Sequence, residues 1–513
     1  MQAPLILGLS ASLRNARSHV GSEELVAQIA KLPDREALDA FMAEQANIHV
    51  EQFIEAGRKE GRPFDELYRR MRALGGHRGL SNSEVCLAAA LWAASTHGCR
   101  IDHIALHDHF PADGKAVDVE TLKARLRAAD GIMLSSPVYF GDRSSLSQNL
   151  IELIRADDSL RAALKGKIYA GIAVGAKRNG GQETTLIYQM LDMLNLGLLA
   201  VGNDSETTSQ YGGTAHAGDI GTVVKDKYGI DTSLGTGRRI ARVAVQMRAA
   251  AEVRLRDKPR LNFWNLQDRG TALADLLGPH QQRLGKVAAV QHTDLVSNSI
   301  RPCLACDICP THVGPDKEYR CIINRANDGV KVKHESLLEG DVLVPAVFSP
   351  VNRSGIRSTY QEFMERSRYL RRGDYVFTDR LVAPVVFEEI GANENLDIRL
   401  MTSFLRHHTV MMKPIIGILH GGKVVNEEEV RQGFADAVAA GAQLTAGRLV
   451  MAALKHESVQ YNPVGYVLSR AKDNEPATIN QRVKSSQIRF DHLVEESRAR
   501  LERLPVQEAF TAG

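Results

Sequence analysis

Through most of the first half of the chain, short apolar runs alternate with stretches whose apolar residues recur every three or four positions. Leu5–Leu9 is the first run and ends in a Gly/Ser loop. Arg100–Leu106, Gly131–Ser135, Lys167–Val174 and Leu198–Val201 follow as further strands. Between them, Val85–Ser95, Ser144–Ile154 and Thr184–Leu194 have helical periodicity. Apolar strands alternating with amphipathic helices predict a parallel sheet covered on both faces. The stretch from about 15 to 80 breaks the rhythm. It is charged and helix-rich, with periodic segments Glu36–Glu55 and Phe64–Leu74, and reads as an insertion.

Part of this pattern occurs twice. Ala129–Ile154 (ADGIMLSSPVYFGDRSSLSQNLIELI) and Gly340–Arg366 (GDVLVPAVFSPVNRSGIRSTYQEFMER) each read as strand, Ser-Pro-Val, polar loop, helix. At nearly the same offset, Lys167–Val174 matches Arg380–Phe387, and Leu198–Val201 matches Pro414–Ile416. Register held over about eighty residues implies an internal duplication. The second copy shows no counterpart of the first copy's Gly/Ser loop, and its sheet is expected to begin near Lys286–Gln291. Linker residues are expected near 250–270, dividing the chain into domains 1–250 and 251–513. The tail Gln487–Leu504 reads as a charged amphipathic helix.

Composition narrows the class. The 513 residues are 44% hydrophobic and 24% charged, and 64 basic residues face 61 acidic ones. Neither a basic nucleic-acid footprint nor an acidic tail is present, and no apolar run reaches the length of a membrane span. The first nine residues lack a basic leader and read as a strand. The expectation is a cytoplasmic protein that acts on small molecules, with no nucleic-acid or membrane partner. Of six cysteines, Cys86 and Cys99 read as buried, inert thiols. Cys303, Cys306, Cys309 and Cys321 form a cluster, which in such a chain points to metal rather than disulfides.

The loop Gly8–Arg14 (GLSASLR) places hydroxyls after a strand and before a helix, a setting that suits a phosphate. Ser81-Asn82-Ser83-Glu84 has the capping-box pattern and opens the next helix. If the insertion loops out, Ser10, Ser12 and Arg14 meet Asn82 and Ser83 around one phosphate, with Ser18 the competitor if a helix starts there instead.

These segments, with ADGIMLSSPVYFG and GKIYAGIAVGAKRNGGQETTLIYQMLDMLNLGLLAVG, resemble the NADPH-dependent FMN reductase group of flavodoxin-like proteins. The four-cysteine cluster resembles the iron–sulfur flavoprotein branch. The resemblance covers roughly residues 1–14 and 78–250, and 285–420 more loosely. It implies an α/β fold: two flavodoxin-like parallel-sheet domains in tandem, with a helical insertion in the first. It gives the FMN phosphate to Ser10, Ser12, Arg14, Asn82 and Ser83. One edge of the isoalloxazine ring falls to Pro137, Val138, Tyr139, Phe140 and Gly141, and the loop on its other side is Gly180, Gly181, Gln182 and Glu183. All three loops follow strand ends, where open α/β sheets bind ligands.

For the cysteines, zinc prefers paired knuckles with a long spacer. Three cysteines two residues apart with a remote fourth suit a 4Fe–4S cubane, and Pro310 follows Cys309 as in the bacterial ferredoxin pattern. Zinc stays the alternative. The basic stretches Arg366–Arg372 and Arg406–His408 read as solvated helix faces, or as attractors of a cofactor phosphate. Asn393-Glu394-Asn395 stands where the first copy has its Gly-Gly-Gln-Glu loop, so the second copy is expected to hold no FMN. The resulting expectation is an FMN- and 4Fe–4S-dependent oxidoreductase. It would exchange electrons between NAD(P)H or a small organic substrate and an acceptor, as a homo-oligomer (dimer or tetramer), with no catalytic side chain assigned. A biosynthetic flavoenzyme acting on one metabolite, and a redox-sensing or zinc-binding regulator, are the alternatives.

Overall fold

The structure is a computed structural model that describes residues 2–13, 22–46, 57–67, 80–111, 115–204, 209–219, 221–307, 309, 318–454 and 467–503, besides Glu55, Arg69 and Thr207. Arg14, Ser18 and Pro310 lie outside the described residues. The chain divides into two compact units, Gln2–Val245 and Gln246–Gly513. The boundary falls inside the helix Lys227–Ala250 rather than in a linker near 250–270.

In the first unit, β1 (Leu5–Ser10), β2 (Arg100–Ala105), β3 (Gly131–Pro137) and β4 (Ile168–Gly175) pair in parallel in the order β2-β1-β3-β4. β1, β3 and β4 are buried almost throughout, which is why they read as unbroken apolar runs. The stretch Leu198–Val201 supplies only β5 (Leu199–Ala200), beside the start of β4. The strand beside the end of β4 is β6 (Gly213–His216), whose sequence GTAH carries no apolar pattern and was not expected. The helix Asn82–Ser95 starts as its sequence predicts, with the Ser81 hydroxyl accepting the Glu84 amide at 3.2 Å. The insertion contributes helices Ser22–Ala30 and Arg35–Ala46, the latter burying Leu38 and Met42. The Trp92 indole donates to Leu32 O at 3.0 Å and the Leu80 amide to Gln45 O at 3.1 Å, so the insertion packs on its own unit. The helix expected over Glu36–Glu55 is described as far as Ala46, and 47–54 and 70–74 lie outside the described residues.

The second unit contains β7 (Arg260–Asp268), β8 (Ala289–Asp294), β9 (Val342–Ser349), β10 (Arg357–Ser358), β11 (Leu381–Val382), β12 (Val385–Glu389), β13 (Val410–Met411), β14 (Ile415–His420) and β15 (Lys423–Val424). β8, β7 and β9 are consecutive and parallel. β11 and β12 continue the sheet beside β9, and β13 and β14 lie beside those two. β10 and β15 add antiparallel edges.

Two expectations are corrected. The sheet begins at β7, not near residue 286. The run RLNFWNLQD hid a buried strand because Asn262, Asn265 and Gln267 interrupt its apolar residues. Each is itself buried and bonded, as where Asn262 Nδ2 donates to Ser336 O at 2.6 Å. Residues 414–416 open β14 and stand where β6 stands, while β13 takes the place of β5. One device occurs in both units: Asp130 accepts the amide of Leu5, and Asp341 that of Arg260, the first residue of each leading strand. The tail helix is longer than expected, Pro476–Arg500. It ends with Arg500 bidentate on Asp341 at 2.8 and 2.6 Å. Among the described residues no helix is long and apolar enough to cross a membrane.

Candidate functional site

In the first unit the C-terminal ends of β1, β3, β4 and β6 carry four loops. Ser10 is fully buried and stands in register with Ser135, whose hydroxyl donates to Ser83 O at 2.7 Å. The expected phosphate residues Ser10 and Ser83 are thereby brought to one place, with Ser12 next to them at the end of the turn. The turn is fixed from below by the Ala11 amide on Ser135 O at 2.9 Å and by Ser144 Oγ on Ala11 O at 2.8 Å. Asn82 is spent differently. Its amide donates to Asp219 O at 3.0 Å and accepts Val223 N at 3.3 Å, tying the helix start to the loop after β6.

After β3, Tyr139 and Asp142 exchange backbone hydrogen bonds at 2.8 and 2.9 Å across Phe140 and Gly141. Both intervening residues have positive φ, 53° and 81°, the pattern of a type I′ turn. The turn leaves the Phe140 ring wholly exposed and Tyr139 more than half exposed, while Pro137 and Val138 are partly covered. The loop after β4 meets it directly. A Cβ on Gly181, which has φ 102°, would lie 2.6 Å from Gly141 Cα. Gln182 is buried and holds that loop shut, accepting Gly180 N at 2.8 Å and donating to Lys177 O and Ala215 O at 2.7 and 3.1 Å. Glu183 faces solvent on the first turn of the helix Gln182–Asn195.

The sequence reading missed the fourth loop. His216 ends β6 opposite Gly175, and its Nδ1 lies 2.9 Å from both Asp226 Oδ2 and an Arg178 guanidinium nitrogen. Asp226 is buried, pairs with Arg178, and accepts the amides of His216 at 2.8 Å and Gly229 at 3.0 Å. The signal in sequence is Tyr211–Asp219 (YGGTAHAGD), a glycine-flanked segment leading from one strand toward an Asp seven residues on.

In the second unit Cys303, Cys306, Cys309 and Cys321 all line one cavity, with Leu304, Ile323, Arg366 and Tyr369 among its other walls. The remote Cys321 therefore joins the other three. Ala305 and Asp307 have φ of 48° and 55°, and the Ala305 amide donates to Cys303 Sγ at 3.4 Å. Left-handed residues two apart are an ingredient of the N–H nests common to iron–sulfur sites. Among the described residues no three His, Cys, Asp or Glu side chains stand close enough to chelate a metal ion as they are.

The basic stretch 366–372 is not a solvated face. Arg366 and Arg372 are buried. Arg366 pairs with Asp328 at 3.0 Å, Arg372 with Asp307 at 2.6 Å and Asp473 at 3.2 Å, and Arg368 with Asp307. Lys472 donates to Cys309 O at 2.7 Å and Asp307 O at 3.1 Å. Four cations against three carboxylates leave a positive excess beside four thiols, which favours thiolate ligands. As a free thiol Cys309 is pushed up by burial, an effect that Arg372 and Arg368 offset only in part. Cys86 and Cys99, in contrast, are buried with thiols pushed up to about 12 by desolvation, as inert cysteines are. His407 and His408 are buried as well, the latter stacked on Tyr375 at 3.8 Å.

Comparison with known proteins follows the same lines. The family model described as NADPH-dependent FMN reductase matches residues 74–205. An iron–sulfur flavoprotein of Methanocaldococcus jannaschii is 33% identical over 184 residues, 33% of this chain and 93% of that protein. An iron–sulfur flavoprotein of Methanosarcina thermophila is 31% identical over 138 residues, 24% of this chain and 72% of its own length. An NAD(P)H dehydrogenase (quinone) of Methylocella silvestris is 32% identical over 156 residues, covering 28% of this chain and 77% of that enzyme.

Proposed function

We propose that this chain, which belongs to the NADPH-dependent FMN reductase and iron–sulfur flavoprotein family, is an oxidoreductase with FMN in its first unit and a 4Fe–4S cluster in its second. It would pass electrons from NAD(P)H to a small organic acceptor such as a quinone. The observation that carries the reading is the gathering of all four clustered cysteines about one cavity with a positive wall. Bound there, a cluster would supply one-electron transfer, and FMN would supply two-electron hydride chemistry.

The chain's own contribution is placement. Ser10, Ser12 and Ser83 present small polar groups at a strand end and a helix start, where a phosphate is held by N–H groups and hydroxyls. Arg14 stays part of this proposal by its position in sequence. The touching Gly141 and Gly181 keep the turn after β3 and the loop after β4 free of Cβ atoms where they meet, so that backbone can approach a flat ring. Phe140 and Tyr139, exposed beside it, would shield the ring from water or stack on an acceptor. In the second unit Arg366, Arg368 and Lys472 offset the negative charge of a thiolate-ligated cluster.

Anaerobic purification followed by flavin, iron, zinc and sulfide analysis tests the reading. One FMN and about four irons per chain are expected; zinc without iron overturns the electron-transfer half. Cys306→Ser is expected to remove iron and leave FMN bound, whereas loss of both together overturns the assignment of separate sites.

A further inference from the structure

We propose that His216 is the proton donor of the flavin-side site, with Asp226 and Arg178 as the residues that position it. The inference rests on the reading of the first unit as the FMN unit, and it assigns a side chain to the step that reading leaves without one.

The ring belongs to the site's architecture. His216 closes β6 beside Gly175, the last residue of β4. Arg178, which contacts the ring, belongs to the same loop as Gly180 and Gly181, and Gln182 fastens that loop to Ala215, the neighbour of His216. Among the described residues the imidazole is anchored through Nδ1. Nδ1 points inward to buried Asp226 at 2.9 Å, and the side chain is 39% exposed, which leaves Nε2 on the open side.

The two partners of Nδ1 are chemically opposed. Asp226 can only accept, so it selects the form with a proton on Nδ1 and a lone pair on Nε2. Arg178 can only donate, so it selects a bare Nδ1 and an N–H on Nε2. Both stand at 2.9 Å. Nε2 gives up a proton without leaving an anion only from the doubly protonated ring, and Asp226, itself paired with Arg178, holds the Nδ1–H that stays behind. The other charged or titratable groups around this pair are few. Tyr228 lies under the Arg178 guanidinium at 5.0 Å, and Cys86 faces Arg178 and Asp226 from the helix Asn82–Ser95 as a neutral thiol. Asp226 accepts three further hydrogen bonds, from Arg178 and from the amides of His216 and Gly229, so its carboxylate is fixed in place.

The chemistry balances. A quinone-type acceptor that takes a hydride, originating in NAD(P)H, forms an O–H bond on one oxygen and carries the negative charge on the other. The Nε2–H bond of the doubly protonated ring breaks, a second O–H bond forms on that oxygen, and the neutral imidazole left behind, its Nδ1–H held by Asp226, regains a proton from solvent. Two electrons arrive with the hydride and none through the histidine.

The test compares wild type with His216→Asn and His216→Gln at equal FMN content, using menadione as acceptor. Reduction of the flavin by NADPH is expected to stay within about twofold, and its reoxidation by menadione to fall by roughly 100-fold. Full FMN with wild-type reoxidation in both variants overturns the proposal. A readout independent of turnover is the 15N spectrum of histidine-labelled, FMN-free protein, with the His216 signal identified by its absence in His216→Asn. Its Nδ1 and Nε2 shifts are expected to report a proton held on Nδ1 and to move in Asp226→Asn. Ring shifts that Asp226→Asn leaves unchanged overturn the proposal. Wild type without FMN overturns the flavin reading instead, and the spectrum separates the two failures.

Discussion

The two units place a strand-to-helix turn and a strand-end loop at corresponding points of the same strand order, and they fill them oppositely. After β1 the turn is lined by hydroxyls, Ser10 and Ser12, and after β4 the loop is made of glycines. After β7 the turn carries Asp268. That carboxylate accepts the amides of Arg269 at 2.7 Å and Leu273 at 2.9 Å and the Asn265 amide group at 3.1 Å. After β12 the loop carries Glu394, which accepts from Ser349 at 2.6 Å and Gln267 at 3.0 Å and pairs with Arg353. A helix N-terminus attracts an anion of either kind, free or tethered. Neutral residues leave that attraction for a ligand, whereas a built-in carboxylate satisfies it internally. The second unit thus satisfies the corresponding positions with its own acids, which is the physical ground for proposing FMN in the first unit alone.

The largest effect is expected at the glycine contact. Gly181→Val forces a side chain into positive φ and against Gly141, a strain of about 1–3 kcal/mol before any loop displacement. FMN affinity measured by fluorescence titration is expected to weaken by roughly ten- to hundredfold, with iron content unchanged. Asn395→Ala, at the loop's counterpart in the second unit, is expected to leave FMN affinity unchanged. Equal losses from both variants would break the comparison. Next in size is Asp268→Ala, which leaves two backbone donors without their carboxylate. It is expected to destabilise the second unit by about 1–3 kcal/mol, read as a shift in its urea midpoint. FMN content should stay at one per chain, because Glu394 still closes the other loop. A second equivalent of bound FMN would show that Asp268 alone keeps the position shut.

What the sequence made legible follows from burial. β1, β3, β4 and β9 could be read because strands covered on both faces are nearly all apolar. β7 could not, because the partners that let Asn262 and Gln267 be buried, Ser336 and Phe348, lie far away in sequence. The cysteine spacing exposed that site as a motif, yet the meaning of Arg366–Arg372 stayed hidden. Four arginines in seven positions resemble a wet helix face until Asp307, Asp328 and Asp473 are seen against them. His216 and Asp226 were missed for a related reason. Ten residues apart and on no common periodicity, they meet because the short turn Thr222–Lys225 brings Asp226 back to the end of β6.

Buried histidine chemistry also differs between the units, and acid should reveal it. His407 is enclosed by Phe377 and Phe404, with Nε2 3.1 Å from Ser367 Oγ. Burial, reinforced by Arg371 and Arg406, pushes its imidazole down from 6.5 to about 3. The folded form therefore refuses a proton that the unfolded chain accepts. Above about pH 6.5 both forms are neutral and stability is complete. As pH falls from there toward 3, the unfolded state binds the extra proton, and the second unit loses about 1.4 kcal/mol per pH unit. His407→Gln keeps a hydrogen-bonding group for Ser367 and cannot titrate, so it should flatten that slope. Trp264 packs on Phe377 at 5.5 Å, and its fluorescence in a Trp92→Phe background reports the second unit, while FMN release reports the first. The expected result is a Trp264 urea midpoint that falls between pH 6.5 and 4 in the parent and less steeply in His407→Gln, with the FMN midpoint moving equally in both. An unchanged Trp264 slope would place the acid sensitivity elsewhere, with the Asp341–Arg500 pair first in line. Arg500 holds that carboxylate below its usual range against the opposing effect of burial, so protonating it would release the tail helix at lower pH.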